Sequence, residues 1–118
     1  MEAHAGDVYC VKWSPSGAFL ASAGRDKMAY VWDVEGGHRV AGQCKGHKNA
    51  ILDLKWPTED RLLTASADKS ALLWDTFDFS RIRSFTKHDS HVNSIDSFDQ
   101  NQVVTGSDDC TVRLWDIR

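Results

Sequence analysis

Residues 62–75 read LLTASADKSALLWD, and the chain carries two further versions of this stretch, LASAGRDKMAYVWD at residues 20–33 and VVTGSDDCTVRLWD at residues 103–116. Each version ends in Trp-Asp, and the three tryptophans, Trp32, Trp74 and Trp115, are 42 and 41 residues apart. Self-similarity at a fixed period of roughly 20 to 50 residues indicates a repeat architecture, in which one structural unit stacks on its neighbours. The 118 residues therefore read as three copies of one unit.

The same polar residue types recur behind each tryptophan. An aspartate lies six residues before it, a serine or threonine four residues before that aspartate, and a histidine 27 or 28 residues before the tryptophan. The three sets are His4, Ser22, Asp26 and Trp32; His47, Thr64, Asp68 and Trp74; and His88, Thr105, Asp109 and Trp115. Four residue types that recur in three copies are a much more specific signal than one Trp-Asp pair.

Short alternating or apolar runs separated by turn residues fill each unit, which is the pattern of β-strands. We predict three strands in every unit: a first at 8–13, 51–56 and 92–97, a second at 19–23, 62–66 and 103–107, and a third ending at each tryptophan. Turn residues at 14–17, 57–60 and 99–101 separate the first strand from the second. A fourth strand is predicted at 39–44 and 81–86, and no segment supplies one after the third unit. We predict an all-β chain.

These motifs resemble the repeats of the WD-repeat (WD40) family over nearly the whole chain. The resemblance implies one WD-repeat region over residues 1–118, folded as a β-propeller with three blades, at about 4–45, 46–86 and 87–118. The ring would be partial, and its last blade would lack the outer strand. The resemblance also implies that the four polar residues of each set form a hydrogen-bonded tetrad inside the blade. Burial gives a reason for such a network, because an unsatisfied buried polar group costs about 1 to 3 kcal/mol.

The chain departs from the family pattern where the tetrad histidine begins. A Gly-His pair is present at Gly46, whereas Ala3 and Lys87 precede the other two histidines. Propellers close with roughly 4 to 8 blades, so three blades form an open arc with apolar faces and an unpaired strand edge that favour association. We expect the chain to be part of a longer protein, or an arc completed by other copies or by a partner.

Composition argues against several classes of protein. Fourteen basic and 17 acidic residues give a net charge of −3, so no basic excess favours direct nucleic-acid binding. No apolar stretch has the length of a membrane span, and the first residues do not read as a signal segment. The scattered cysteines, Cys10, Cys44 and Cys110, indicate reduced thiols in an intracellular protein. We expect no cofactor.

Three chemical interpretations of these residues compete with the structural one. Ser, His and Asp together could form a nucleophilic triad, but a catalytic site needs one cleft, whereas this set occurs three times with a tryptophan attached. The histidines at 88 and 91 and the run Asp108-Asp109-Cys110 offer metal ligands without the spacing of a zinc site. The charges of residues 81–83 are better explained as the solvated side of an edge strand than as a nucleic-acid contact. We therefore predict that the chain is not an enzyme.

In this family, partners usually dock where the turns between second and third strands emerge beside the starts of the first strands. By position, the resemblance implies a partner-binding face made of Asp7, Tyr9, Arg25, Leu52, His91, Asn93 and Asp108. Tyr9, Arg25 and His91 are the preferred contacts, because aromatic and arginine side chains supply much of the energy of interfaces. We predict that Tyr9 and Leu52 project from regular strands.

A narrower resemblance exists within the family. Residues 94–118, with the shorter stretches 8–10, 20–24 and 91–94, are similar to WD-repeat proteins of the spliceosomal U5 small nuclear ribonucleoprotein. This similarity implies a non-catalytic scaffold for pre-mRNA splicing in the nucleus, in contact with the large U5 proteins. The alternative is a general WD-repeat adaptor in another nuclear or cytoplasmic complex, such as a signalling, chromatin or ubiquitin-ligase assembly.

Overall fold

The computed structural model describes residues 2–117, and this part of the chain contains eleven strands and no helix. They form three antiparallel sheets, which we name blades 1, 2 and 3. Blade 1 has the order β1 (Val8–Trp13), β2 (Phe19–Gly24), β3 (Met28–Asp33) and β4 (Arg39–Lys45). Blade 2 has the order β5 (Ile51–Thr58), β6 (Arg61–Ser66), β7 (Ala71–Asp75) and β8 (Arg81–Phe85). Blade 3 consists of β9 (Val92–Ser97), β10 (Gln102–Ser107) and β11 (Val112–Asp116).

The predicted all-β architecture with three blades, the last of which lacks an outer strand, is confirmed. One local prediction is wrong: a turn was expected over residues 57–60, but β5 continues to Thr58 and only Glu59 and Asp60 separate it from β6. The register of the β5–β6 ladder shifts between Lys55 and Thr58. Pro57 lies in this irregular segment, where its missing N–H costs no regular ladder bond.

Apolar side chains on both faces of blade 2 hold the three sheets together. Along β7, Leu72 and Trp74 belong to a core shared with blade 1, whereas Ala71 and Leu73 belong to a core shared with blade 3. Successive side chains of a strand point to opposite faces. Because both faces of blade 2 are covered, its middle strands β6 and β7 are buried along nearly their whole length instead of alternating between buried and exposed residues.

The innermost strands β1, β5 and β9 lie side by side and are joined by polar contacts between blades. The indole N–H of Trp56 donates to the carbonyl of Lys12 at 3.1 Å, and the Asp53 carboxylate accepts the backbone N–H of Ile95 at 3.0 Å. Lys55 Nζ and Asp96 Oδ1 form an ion pair at 3.1 Å. These bonds fix the order of the blades around the arc.

The two outer faces of the arc have the same apolar chemistry as the buried ones. In β1, Val8, Val11 and Trp13 are 49%, 56% and 60% exposed, although their equivalents in β5 are buried against blade 1. On blade 3, Val112 and Leu114 of β11 are exposed as well. Each outer face therefore carries the kind of surface that a further blade covers inside the arc.

An aromatic contact also links blade 2 to the outer strand of blade 1. Phe79, in the loop between β7 and β8, packs over Gly42 of β4, where a Cβ atom would lie 2.1 to 2.4 Å from its ring. Phe79 has a φ of 61°, in the left-handed region. The missing side chain at position 42 thus leaves room for this ring.

We expect Gly42→Ala to lower the free energy of unfolding by about 1 to 3 kcal/mol, because an extra methyl group must displace a packed ring. Urea denaturation measures this loss. In a Phe79→Ala background the same change should cost almost nothing, since contacting residues couple. An equal loss in both backgrounds would show that the ring does not fill this space.

Candidate functional site

The best-defined polar network of blade 2 is centred on the Thr64 hydroxyl. The Trp74 indole N–H donates to Thr64 Oγ1 at 2.9 Å, and His47 Nε2 lies 2.5 Å from the same oxygen. His47 Nδ1 lies 2.8 Å from Asp68 Oδ2. A carboxylate can only accept, so Nδ1–H donates to Asp68, and in this tautomer Nε2 can accept the threonine hydroxyl. All four side chains are thus linked in one chain of hydrogen bonds.

Blades 1 and 3 contain the same network. The histidine Nδ1 atoms lie 3.0 and 2.9 Å from the aspartates, the Nε2 atoms lie 2.7 Å from the hydroxyls, and both indole N–H groups donate at 2.9 Å. His88 takes part as the others do, although Lys87 precedes it. The structure therefore brings together all members of the three sets: His4, Ser22, Asp26, Trp32; His47, Thr64, Asp68, Trp74; and His88, Thr105, Asp109, Trp115.

Each tetrad aspartate also organises the turn between the second and third strands of its blade. Asp68 Oδ1 accepts the Ser70 backbone N–H at 3.0 Å and the Ser70 hydroxyl at 2.5 Å, while Oδ2 accepts the Lys48 N–H at 3.0 Å. The residue after each aspartate has a positive φ: Lys27, Lys69 and Cys110, at 71°, 74° and 69°. This conformation is strained for residues other than glycine, and the aspartate bonds hold the turn in it.

The hydrogen bonds keep the tetrad aspartates ionised. Burial alone would raise the pKa of Asp68, but donors from His47, Ser70 and Lys48 outweigh it and hold the pKa below its usual range. In Asp26, burial again opposes the donors from Ala5, Met28 and His4, and the net pKa is lowered. For Asp109, the Thr111 hydroxyl is the main cause of a lowered pKa.

The tetrads share the Asp–His–Ser order of a catalytic triad, but their hydroxyls cannot act as nucleophiles. Ser22, Thr64 and Thr105 are 5%, 0% and 1% exposed, and each oxygen lies against a tryptophan N–H. A nucleophile must reach its substrate. These networks therefore stabilise the blades and have no access to a substrate.

Sequence analysis missed two kinds of residue, serines that support the tetrads and a glutamate that joins two blades. The Ser66 hydroxyl donates to the Asn49 and Ala50 carbonyls at 3.1 and 2.8 Å and accepts the Asp68 N–H at 3.1 Å. In blade 3, the Ser107 hydroxyl donates to the Ser90 carbonyl at 3.3 Å and accepts the Asp109 N–H at 3.2 Å. Their shared position, two residues before the aspartate, was a detectable signal. Glu59 joins blade 2 to blade 1 by accepting from the Ser14 hydroxyl at 2.8 Å and the Ser16 N–H at 2.9 Å. It occurs once, so no repeat pattern marks it.

The residues of the predicted partner-binding face lie at the end of the blades where the first strands begin. Backbone bonds tie each turn to the start of its first strand: Arg25 N–H to Asp7 O at 2.9 Å, and Asp108 N–H to His91 O at 3.0 Å. An equivalent bond joins residues 67 and 50 in blade 2. The turn residue and the strand residue of each blade are therefore neighbours on this face.

The prediction that Tyr9 and Leu52 project from regular strands is wrong. The β1–β2 register shifts between Val8 and Cys10, and the β5–β6 register shifts between Ile51 and Asp53, so each is the extra residue of a β-bulge. Asn93 has the same position in blade 3. A bulge redirects a side chain away from the ladder, and Tyr9 is 48% exposed. On blade 3, the Asn93 amide donates to Asp108, whose Oδ2 lies 3.7 Å from His91 Nδ1.

The described residues, 2–117, contain few other groups with reactive or ligand-binding chemistry. No group of three or more His, Cys, Asp or Glu side chains in that range is arranged to hold a metal ion. No described helix is long and apolar enough to cross a membrane. All three cysteines are free, and burial raises the pKa values of Cys10 and Cys44 to about 12. These two thiols are therefore protonated and unreactive near neutral pH.

We expect Asp68→Ala to lower the free energy of unfolding by about 1 to 3 kcal/mol or more, because His47, Ser70 and the Lys48 N–H lose their common acceptor. Thermal and urea denaturation measure the loss. Asp89→Ala is the matched control, since this exposed carboxylate lies at the start of the next blade. Equal stability of the two variants would contradict a supporting role for the tetrad.

We expect stability to fall in acid. A carboxyl group whose pKa is lower in the folded than in the unfolded chain stabilises the fold above about pH 4, the unfolded value, and this contribution is lost as pH falls toward the folded value. The melting temperature should therefore hold from pH 7 to about 5 and fall below about pH 4. Asp68→Asn should show a shallower fall, because its side chain does not titrate. Parallel profiles for the variant and the unmodified chain would contradict this assignment.

Comparison with known proteins agrees with the geometry. The model of the family described as WD domain, G-beta repeat, matches residues 1–33, 39–75 and 79–116. The chain is 33% identical to pre-mRNA-splicing factor cwf17 of Schizosaccharomyces pombe, over 100% of this chain and 36% of the relative. It is 36% identical to the U5 small nuclear ribonucleoprotein 40 kDa protein of Dictyostelium discoideum, over 98% of this chain and 33% of the relative. Protein HIR1 of Kluyveromyces lactis is 30% identical over 98% of this chain and 15% of its own length.

This chain thus spans about a third of the length of the first two relatives. Three sheets, each with one buried tetrad and one Trp-Asp end, account for the family match at the level of individual side chains. The chain belongs to the WD40 family of G-beta repeats.

Proposed function

We propose that this chain is part of a non-catalytic WD-repeat scaffold that binds other proteins of the spliceosome, in contact with the large proteins of the U5 particle. The names of two relatives that are 33% and 36% identical, a pre-mRNA-splicing factor and a U5 ribonucleoprotein component, support this proposal. A nuclear location follows from it. No relative named above carries the name of an enzyme.

One observation carries the scaffold interpretation. Every Ser/Thr–His–Asp set in the described chain is buried, capped by a tryptophan and present in each blade. The Ser/Thr, His and Asp side chains of these sets therefore support the fold. What distinguishes this chain from another of the same fold must therefore lie in its unrepeated surface residues, which suit recognition.

The unrepeated residues converge on the face formed by Asp7, Tyr9, Arg25, Leu52, His91, Asn93 and Asp108. Equivalent positions differ in chemistry between blades: an aromatic ring at position 9, an aliphatic side chain at 52 and an amide at 93. The bulges present these side chains beside the turns, and exposed tyrosine and arginine are common anchors of interfaces. We infer that partners bind here.

The outer blade faces fit a second kind of contact. Their exposed apolar side chains match those that blades 1 and 2 bury against each other, so we infer that they pack on further blades, from a longer protein or from other copies of the chain. Such contacts would complete the arc.

An alternative role is supported by the similarity to Protein HIR1. In this role the chain is a general WD-repeat adaptor of another complex, in the nucleus or the cytoplasm, and uses the same blades and the same face.

Affinity purification of the native protein, with identification of the associated proteins and RNA, tests the proposal. We expect U5 RNA and large spliceosomal proteins to be recovered, and Tyr9→Ser with His91→Ala to reduce their recovery several-fold. Gln100→Ala, an exposed change in the β9–β10 turn at the opposite end, is the control. Recovery of a different assembly without that RNA would leave the adaptor alternative.

Light scattering of the purified chain should show association, and a monodisperse monomer would contradict the packing of the outer faces.

A further inference from the structure

A groove of about 230 Å³ opens beside the segment that joins β4 to β5, at the outer strand of blade 2. Two cationic side chains, Lys48 and Arg81, line it together with Ser84 and Thr86. The positions that match Lys48 after the other tetrad histidines hold Ala5 and Asp89. This set is therefore absent from the other blades and is not needed for the common fold.

The Arg81 guanidinium lies against Gly46, at the entry to blade 2. Arg81 pairs with Trp74 in the β7–β8 ladder. A Cβ atom at Gly46 would lie 3.0 Å from Arg81 Nη2 and 3.1 Å from Trp74 Cη2. The guanidinium thus rests over backbone that has no side chain, and its planar N–H donors are available to a ligand in the groove.

The donors around the groove lack acceptors of their own. Within residues 2–117, Lys48 and Arg81 have no ion-pair partner, and the hydroxyls of Ser84 and Thr86 have no hydrogen-bond partner. Asp68 also lines the groove, but both of its carboxylate oxygens already accept hydrogen bonds within the tetrad and its turn. The lining residues carry a net charge of about +1 after Asp68 is counted.

We propose that this groove binds a phosphate monoester, carried by a phosphorylated serine or threonine of a protein partner. Such a group has a charge of about −1.5 to −2 near pH 7 and three acceptor oxygens. An arginine, a lysine and two free hydroxyls supply the charge-assisted donors that these oxygens require. The lining contains no aromatic ring on which a base could stack, so the groove does not suit a nucleotide. The site is separate from the face with Tyr9 and does not depend on which assembly the chain joins.

Isothermal titration of the protein with a short phosphoserine peptide, Gly-Ala-pSer-Ala-Gly, tests the site, and the unphosphorylated peptide serves as the ligand control. We expect at least tenfold tighter binding of the phosphopeptide. Arg81→Gln and Lys48→Gln should each weaken it at least tenfold, whereas Arg39→Gln, an exposed arginine at the start of the outer strand of blade 1, should leave it unchanged. Equal melting temperatures establish that the variants are folded.

Other outcomes overturn the proposal. Equal affinity for both peptides, or equal binding by the variants and the unmodified protein, would show that the groove does not bind the phosphate group. Two further probes separate the sources of the group: inorganic phosphate, and phosphatidylcholine vesicles with and without phosphatidic acid. If inorganic phosphate bound as tightly as the phosphopeptide, the site would serve a free anion. Preferential binding to the acidic vesicles would assign it to a lipid headgroup.

Discussion

The buried hydroxyl at the centre of each tetrad is the contact on which the blade depends. Its oxygen accepts a hydrogen bond from the indole N–H of the third strand and lies within 2.7 Å of the histidine from the preceding connection. The histidine in turn bonds the aspartate of the turn. Four segments of chain thus meet at one chain of hydrogen bonds, and because such chains polarise one another, loss of one member weakens the rest. Burial makes the central bonds obligatory, since the buried hydroxyls cannot bond to water instead.

Packing between blades follows from the tetrads. Once a tetrad has fixed its turn and third strand, side-chain alternation sets which residues meet the neighbour. Blade 1 presents small side chains, such as Ala21 and Ala29, and blade 2 presents large ones, Trp56 and Trp74, to the same core. Small against large gives the close fit that protein interiors require. The single contact of Phe79 on Gly42 extends this rule to the outer strand.

Much of this structure could be predicted because its signals are local or repeated. The Trp-Asp spacing predicts the number of blades, and fixed offsets from each tryptophan identify side chains that prove to be in contact. The partner-binding face remains a prediction. The bulges at Tyr9 and Leu52 could not be predicted, because a bulge depends on the register with the next strand, and register is a property of two segments. Pro57 looks like a turn residue in the sequence for the same reason. Only the β5–β6 ladder shows that no regular hydrogen bond from an N–H is required at this position.

The link through Glu59 and the groove at Lys48 and Arg81 were missed for a different reason. Each joins residues that are distant in sequence, and Glu59 and Lys48 have no counterpart of the same charge in the other blades, so no comparison between repeats could reveal them. Ser66 and Ser107 are the instructive contrast, since both repeat and bond alike. Repetition within one chain thus identifies what the fold requires, and departures from it mark what is particular to this protein.

The position of the tetrad histidine has a consequence for the order in which the chain is made. In every blade the histidine precedes the hydroxyl, the aspartate and the tryptophan, and it lies in the segment that enters the blade. The whole network is therefore contained in one continuous stretch that ends at the tryptophan. A chain emerging from the ribosome can close each network as soon as its tryptophan is free, before the outer strand has been synthesised. If the blades fold one after another during synthesis, each new blade covers an apolar face of the blade before it. Apolar faces are then exposed only at the two ends of the growing arc while the next repeat is still being translated.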